Sequence, residues 1–204
     1  MTTSERWVRT DEAEDVAASV RHATRCWSLV GEDVQALKWF ALSLHSALQG
    51  SYVGHLASTA TPIGAVTKAN AKEWLDYLDA SRSNPSFPAP TTRLMPLPDL
   101  IKCARRPKSA GSADDKVVIE VSDDELRWLN RFHDEIRNQL VHFEPMGWSI
   151  EVSGFPAIAK LATRIISDIE SYGWAFRHKD ALWRSALRRD LAALGSLEFA
   201  VTTQ

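Results

Sequence analysis

The 204-residue sequence has little cysteine, no long hydrophobic run and almost no net charge. Its two cysteines, Cys26 and Cys103, have neither CxxC spacing nor a Cys/His metal pattern, so we expect buried free thiols, with a disulfide as the alternative. No apolar run approaches the roughly 18 residues that a membrane span needs. The polar N-terminal stretch MTTSERWVRTDEAED lacks the apolar core of a signal peptide. These absences predict a cytoplasmic protein without a membrane segment.

The formal net charge is −2, whereas proteins that bind long nucleic acids by the backbone usually carry an obvious positive excess. Any contact with RNA must therefore be local. Short basic clusters offer such contacts, although clusters of this kind are more often ordinary solvated surface. They are Arg105-Arg106 and Lys108 in one polar loop, and Lys179 and Arg188-Arg189 near the C-terminus.

Signatures of several common catalytic classes are also missing. The chain has no Gly-rich phosphate loop, no GxSxG elbow and no HExxH motif. It has no Cys/His metal cluster and no internal repeat. We therefore predict no cofactor and no metal site.

The sequence does contain a series of long amphipathic helical patterns. Apolar residues make up 45% and charged residues 25%, as in a soluble globular protein. Because βαβ alternation is absent, the predicted fold class is all-α, a bundle of about four or five main helices in one domain, 1–204. The main helices are expected near residues 11–30, 32–49, 122–143, 156–176 and 180–194, and the second of them could continue through Gly50 and Tyr52 toward Leu56.

Irregular connections separate these helices. A Pro- and Ser-rich loop is predicted at residues 81–98, and a polar loop at residues 105–116. Asn70 is expected to cap a short helix that reaches Ala80. A second short helix is expected at residues 99–105. The stretches KVVIEV (116–121) and MGWSIEV (146–152) are predicted extended connectors that could pair with each other.

The stretch from Ser122 to Pro145 carries the clearest helical pattern. Ser122 precedes Glu125 by three residues, the capping-box spacing in which each side chain hydrogen-bonds the other's free backbone N–H. Pro145 disfavours helical geometry at the residue before it, so the helix should end near His142 or Phe143. An apolar stripe with steps of three and four follows the cap. Its members are Leu126, Leu129, Phe132, Ile136 and Leu140.

Near its end this helix reads Arg137-Asn138-Gln139-Leu140-Val141-His142. An Arg followed by a polar residue, with a His five positions after the Arg, resembles the Arg-x4–6-His signature of the HEPN superfamily. The resemblance implies an all-helical fold and metal-independent RNA cleavage with the substrate 2′-hydroxyl as nucleophile. Under it, His142 would be the general acid/base and Arg137 would hold the scissile phosphate. Asn138 would orient His142 or a phosphate oxygen.

Ideal helical geometry does not bring Arg137 and His142 together, because five residues correspond to roughly 140° around the axis. The resemblance implies a homodimer, since HEPN proteins commonly pair so that two motifs line one cleft. His133, four residues before Arg137, is a candidate substrate-binding residue, although a role at the edge of the core is more common. Three other histidines are expected to be helix-face residues: His22, His45 and His55.

Two functional hypotheses stay open. The first is a HEPN-like endoribonuclease, a toxin or defence effector in character, with RNA as substrate and an antitoxin or regulatory protein as partner. The second is a non-catalytic helical dimer that serves as a protein-interaction or nucleotide/RNA-binding module. In a purely structural role, Arg137 would pair with Asp134 or another acidic neighbour, and His142 would cap the last carbonyls of its helix.

Overall fold

The structure is a computed structural model that describes residues 7–8, 10–59, 61–107, 111, 117–142, 147 and 149–199. Within these residues the chain forms seven helices if the continuous run from Asp123 to His142, the central helix, is counted as one. The all-α prediction is confirmed, and the helices are slightly more numerous than the four or five predicted. Six of them are α1 (Glu12–Leu29), α2 (Ala36–Leu56), α3 (Lys68–Ser83), α4 (Leu97–Ala104), α7 (Phe155–Tyr172) and α8 (Ala181–Gly195). The seventh is the central helix, which consists of α5 (Asp123–Arg131), a π-helical turn (Phe132–Arg137) and α6 (Asn138–His142).

The helices α1 and α2 pack against each other more extensively than any other two elements. Asp11 caps α1, where its carboxylate accepts a hydrogen bond from the backbone N–H of Glu14 at the positive end of the helix dipole. Gly50 lets the two helices approach closely, because a Cβ at this position would lie 2.9 Å from Cγ2 of Val16. α2 begins later than predicted and continues through Gly50 to Leu56. The close contact at Gly50 fixes α1 beside the C-terminal half of α2.

The Pro- and Ser-rich loop is shorter than predicted, because helices extend into it from both sides. α3 continues to Ser83, and α4 begins at Leu97 with Pro98 in its first turn, where a missing N–H is tolerated. A 3-10 turn, Ile63–Ala65, precedes α3. Part of the polar loop at 105–116 lies outside the described residues.

The prediction that Asn70 caps α3 is wrong. Thr67 is the cap, and its hydroxyl accepts a hydrogen bond from the backbone N–H of Asn70. The Asn70 side chain is buried instead, where its amide donates to the carbonyl of Thr91 at 2.9 Å and accepts from the N–H of Arg93 at 2.7 Å. Asn70 therefore ties the irregular loop to the start of α3.

The helices α7 and α8 meet at a buried carboxylate. Glu170 of α7 is 3% exposed, and its two oxygens accept hydrogen bonds of 2.9 Å from Arg188 of α8. Arg184 adds a further bond to Glu170 at 3.2 Å and one to the carbonyl of Gly173 at 3.1 Å. Gly173 ends α7 in the left-handed conformation, with φ 77°.

The described part of the connector KVVIEV, 117–121, buries alternate side chains. The backbone N–H of Ile119 bonds the carbonyl of Ala104 at the end of α4. No strand pairing joins it to the described residues of the second connector, 147 and 149–152. The buried side chains are Val117, Ile119 and Val121.

Two absences predicted from the sequence concern the thiols and the membrane. Cys26 and Cys103 are free, Cys26 buried and Cys103 half-buried. Burial raises the pKa of the Cys26 thiol. None of the helices in the described part of the chain has both the length and the apolar character that crossing a bilayer requires.

Candidate functional site

The central helix begins as predicted, with both hydrogen bonds of the Ser122 capping box present, but it is not regular throughout. Phe132–Arg137 forms a π-helical turn, in which the backbone N–H of Asn138 bonds the carbonyl of His133. One extra residue in a turn rotates the residues that follow by about 100° relative to a regular α-helix. The predicted apolar stripe is interrupted accordingly, and Ile136 is only half-buried. Turns of this kind occur frequently at functional sites.

An open cleft with a volume of about 760 Å³ lies between α1, α2 and the end of the central helix. Arg137 and Val141 line it from the central helix, and Leu94 lines it from the irregular loop. The other two helices contribute mostly polar side chains. These include Glu12 and Asp15 from α1, and His45, Ser46 and Gln49 from α2.

A pair of histidines joins α2 to the π-helical turn at this cleft. Nε2 of His45 lies 2.8 Å from Nδ1 of His133, a hydrogen bond between residues far apart in sequence. The two rings are stacked, with centroids 5.0 Å apart and planes 27° apart. His45 is 4% exposed and lines the cleft, whereas His133 is half-buried next to it. The predicted substrate-binding residue His133 therefore contacts the cleft through His45.

Both histidines are held neutral by their surroundings. Burial lowers the pKa of His45 to about 3, and the nearby His133 and Arg137 act in the same direction. Burial also lowers the pKa of His133, with Arg137 again acting in that direction and the carboxylates of Asp134 and Asp99 opposing it. At neutral pH the pair therefore shares one N–H between Nε2 and Nδ1 and carries no net charge.

Arg137 is half-buried at the cleft, and its guanidinium donates a hydrogen bond of 2.9 Å to Oδ1 of Asn138. No carboxylate of the described residues lies within 4.0 Å of the guanidinium. Arg137 therefore does not form, within the described residues, the ion pair with Asp134 that a purely structural role would give it. An Arg without a carboxylate partner beside an open cleft can accept an anionic ligand.

His142 lies apart from these groups. It is exposed at the last residue of α6 and is not among the residues that line the cleft, although its neighbour Val141 is. Its side chain makes no hydrogen bond to the described residues, so it does not cap the helix carbonyls within this part of the chain. The structure thus brings Arg137, Asn138, His133 and His45 together and leaves His142 outside.

The α1 side of the cleft is acidic. Oδ2 of Asp15 accepts a hydrogen bond from the hydroxyl of Ser46 at 3.2 Å, and Glu12 is exposed. Nearby, Lys179 lies 2.6 Å from Glu14, and this hydrogen bond holds the pKa of the Glu14 carboxyl below its usual value. A ligand in the cleft would face a guanidinium on one side and carboxylates on the other.

The basic clusters suggested as RNA contacts are mostly paired within the protein. Exposed Arg106 and Arg189 make no ion pair with the described residues, and the guanidinium of Arg189 lies 3.4 Å from the hydroxyl of Ser185. Lys108 is outside the described residues. The paired members are Arg188 with Glu170, Lys179 with Asp11 and Glu14, and Arg105 with Asp123.

Sequence reasoning missed His45, which it placed among ordinary helix-face residues. The contact with His133 joins residues 88 positions apart, so helical periodicity gives no sign of it. The available signal was weaker: His45 falls among the apolar residues of α2, where an imidazole needs a polar partner. That partner is the histidine four residues before Arg137.

The described residues contain no group of three or more His, Cys, Asp or Glu side chains that could hold a metal ion. Comparison with models of known protein families, with curated proteins and with solved structures found no match.

Proposed function

We propose that the protein is a cytoplasmic, metal-independent endoribonuclease whose substrate phosphate binds at Arg137. The observation that carries this proposal is the position of Arg137: it lies at an open cleft with no described carboxylate within 4.0 Å, next to a pair of neutral histidines. The planar guanidinium presents two parallel N–H donors to a phosphate, which gives both charge and orientation. The resemblance of residues 137–142 to the HEPN signature supports the same reaction class.

In this reaction the 2′-hydroxyl of the RNA loses its proton and its oxygen attacks the adjacent phosphorus. The bond from phosphorus to the 5′-oxygen breaks, and that oxygen takes up a proton. The products are a 2′,3′-cyclic phosphate and a 5′-hydroxyl. Arg137 would offset the charge that develops on the phosphate, and His142 would serve as general acid/base. Asn138 keeps Arg137 oriented through its amide oxygen.

The proposal includes a homodimer. His142 is exposed and lies outside the cleft lining of its own chain, so a second copy offers one way to bring it to an Arg137. Sedimentation-equilibrium measurement of the mass in solution tests this part. A monomer at micromolar concentration that still cleaves RNA would contradict it. An antitoxin or regulatory protein that restrains the nuclease belongs to the same proposal.

A second candidate is a non-catalytic module that binds nucleotides, RNA or a protein partner as a helical dimer. The acidic α1 side of the cleft, with Asp15 and Glu12, favours it, because these carboxylates repel a long phosphate backbone. A short nucleotide could still place its phosphate at Arg137 and donor groups of its base toward Asp15. This candidate predicts binding without cleavage.

The test is cleavage of an end-labelled mixed RNA pool in EDTA by wild type, Arg137→Ala and His142→Ala. Arg82→Ala is a matched control, because Arg82 lies on the exposed surface of α3 outside the cleft lining. We expect wild type and the control to release 2′,3′-cyclic phosphate ends and the other two variants to lose activity. Wild-type protein that binds RNA but cleaves none would favour the second candidate, and cleavage by Arg137→Ala would refute the site.

A further inference from the structure

The histidine pair has features that packing alone does not require. His45 is almost fully buried on α2, yet it borders the same cleft as Arg137. Its Nε2 is occupied by Nδ1 of His133 at 2.8 Å. Its other ring nitrogen, Nδ1, makes no hydrogen bond with the described residues and is not one of the fully enclosed unpartnered polar atoms. Nδ1 is therefore the ring nitrogen of His45 without a partner among the described residues, on a side chain that lines the cleft.

A neutral histidine pair with one internal hydrogen bond has two arrangements of its protons. If Nε2 of His45 donates, then Nδ1 of His45 has a free lone pair and Nε2 of His133 carries the second N–H. If Nδ1 of His133 donates, the two outer nitrogens exchange these roles. One proton can thus enter at Nδ1 of His45 while another leaves from Nε2 of His133.

We propose that His45 is a further catalytic residue, which takes the proton of the substrate hydroxyl beside Arg137 and passes the positive charge to His133. This inference rests on the proposed nuclease function and deepens it. His133 acts through His45 and is a positioning residue. The role of general acid, which protonates the leaving 5′-oxygen, remains with His142.

The proton count of this step balances. The 2′-hydroxyl proton moves to Nδ1 of His45, and the proton on Nε2 of His45 moves to Nδ1 of His133. His133 then releases its Nε2 proton to water, with no oxidation or reduction. The 2′-oxygen keeps the electron pair and forms the new bond to phosphorus. After the products leave, Nε2 of His133 takes a proton from water, the proton on Nδ1 of His133 moves back to Nε2 of His45, and the proton on Nδ1 of His45 leaves to solvent, which restores the starting arrangement.

Transfer of the proton from His45 to His133 makes the pair a better base than His45 alone. With a pKa of about 3, a single buried imidazole is a weak base. Burial lowers the pKa of His133 as well, but Asp134 and Asp99 offset part of that effect, so half-buried His133 carries the positive charge more readily than His45. Asp15 and Glu12 of α1 also line the cleft, but they are not among the groups that shift the pKa of either histidine.

Substitutions of His133 test the inference best. His133 is more exposed than His45, so a change there disturbs the core less. An Asn side chain places its amide where the imidazole has Nδ1, so His133→Asn can keep a hydrogen bond to His45 but cannot accept a proton. His133→Phe keeps a ring for stacking and removes both nitrogens. His178→Asn is the matched control, because His178 is exposed and is not among the residues that line the cleft.

We expect His133→Asn and His133→Phe to lower the cleavage rate at pH 7 by about 10²-fold or more, the range of general acid–base catalysis. The low-pH limb of the rate profile should also change in shape, while thermal melting shows both variants folded. A purely structural hydrogen bond would leave His133→Asn close to wild type. Wild-type rate and pH profile in folded His133→Asn would overturn the inference.

A measurement that needs no cleavage separates this inference from the nuclease proposal. Long-range ¹H–¹⁵N NMR of the imidazoles would follow wild type and Arg137→Ala as cytidine 3′-monophosphate is added, a probe with a phosphate next to a 2′-hydroxyl. We expect the His45 Nδ1 resonance to move in wild type and not in Arg137→Ala. A shift without RNA cleavage would refute the nuclease and keep His45 only as a ligand contact, which overturns its catalytic role. An unmoved resonance would overturn the inference even if wild type cleaves RNA.

Discussion

One terminal N–H of Arg137 donates a hydrogen bond to Oδ1 of Asn138, 2.9 Å away. The amide oxygen fixes the orientation of the guanidinium without neutralising it. A carboxylate at the same place would accept the same hydrogen bond and also offset the positive charge. Replacing Asn138 by Asp therefore changes the charge at the cleft with almost no change in the size of the side chain.

We predict that Asn138→Asp lowers the affinity of the protein for a short RNA by about tenfold or more, because a charge-assisted pair within the chain competes with the phosphate. Fluorescence anisotropy of a labelled oligoribonucleotide measures the effect. Gln139→Glu is the control: it adds the same charge at the next residue, but Gln139 lines a different groove beside Ile136. Equal losses in both variants would contradict a local role for Arg137.

Stability should fall in acid because of buried histidine. His55 is 0% exposed with neither ring nitrogen hydrogen-bonded in the described residues, and burial lowers its pKa from 6.5 to about 4. The unfolded chain binds a proton at His55 more readily than the folded chain does. The free energy of unfolding is therefore highest above pH 6.5 and declines as the pH falls toward 4. His55 contributes about 3 kcal/mol to this pH dependence, and His45, whose pKa falls to about 3, acts in the same direction.

We predict that His55→Leu raises the free energy of unfolding at pH 7, since it removes two buried polar atoms without partners, and flattens its decline between pH 6.5 and pH 4. Urea unfolding at a series of pH values gives both quantities. His178→Leu, at an exposed position, should leave the pH dependence unchanged. A variant at His55 that declines as steeply as wild type would show that other groups set the acid sensitivity.

The sequence predicted features that depend on neighbours along the chain. The capping box between Ser122 and Glu125 needs only a spacing of three residues, and both of its hydrogen bonds are present, at 2.8 and 3.2 Å. Asp180 begins α8 for the same local reason, as its carboxylate accepts from the N–H of Trp183. The all-α class followed from such signals together with helical periodicity.

Features that depend on distant partners could not be predicted in this way. His133 lies in the π-helical turn and contacts His45 of α2. The periodicity of a single helix does not predict a contact between two helices. Asn70 has the sequence context of a cap, but its amide bonds the backbone of the distant residues Thr91 and Arg93. In each case the hydrogen bond joins residues far apart in the chain, which local patterns do not encode.

The buried carboxylate of Glu170 should be sensitive to substitution. It is 3% exposed and binds Arg188 through both oxygens, and this hydrogen bonding raises the pKa of Arg188. We predict that Glu170→Gln lowers the free energy of unfolding by about 2 kcal/mol, below the usual range for a broken buried pair because Arg188 is itself largely exposed and rehydrates. Chemical denaturation measures the loss.

The matched control for Glu170 is a pair at the surface. Asp79 and Arg82 lie 3.3 Å apart with side chains 77% and 81% exposed. Asp79→Asn makes the same chemical change and should alter stability by less than about 1 kcal/mol. Equal effects of the two substitutions would show that the α7–α8 carboxylate contributes no more than a surface charge.

The end of α7 provides a test of backbone geometry alone. Gly173 has φ 77°, and a Cβ added there would meet nothing closer than the guanidinium of Arg184 at 3.9 Å. Any loss of stability on substitution must therefore come from the left-handed backbone and not from crowding. We predict that Gly173→Ala destabilises by about 1 kcal/mol, measured by thermal unfolding. Gly31→Ala is the control, since Gly31 has open space and lacks a positive φ, and it should leave the melting temperature nearly unchanged. A melting temperature that falls equally in both variants would refute the strain argument and assign the effect to general loop substitution.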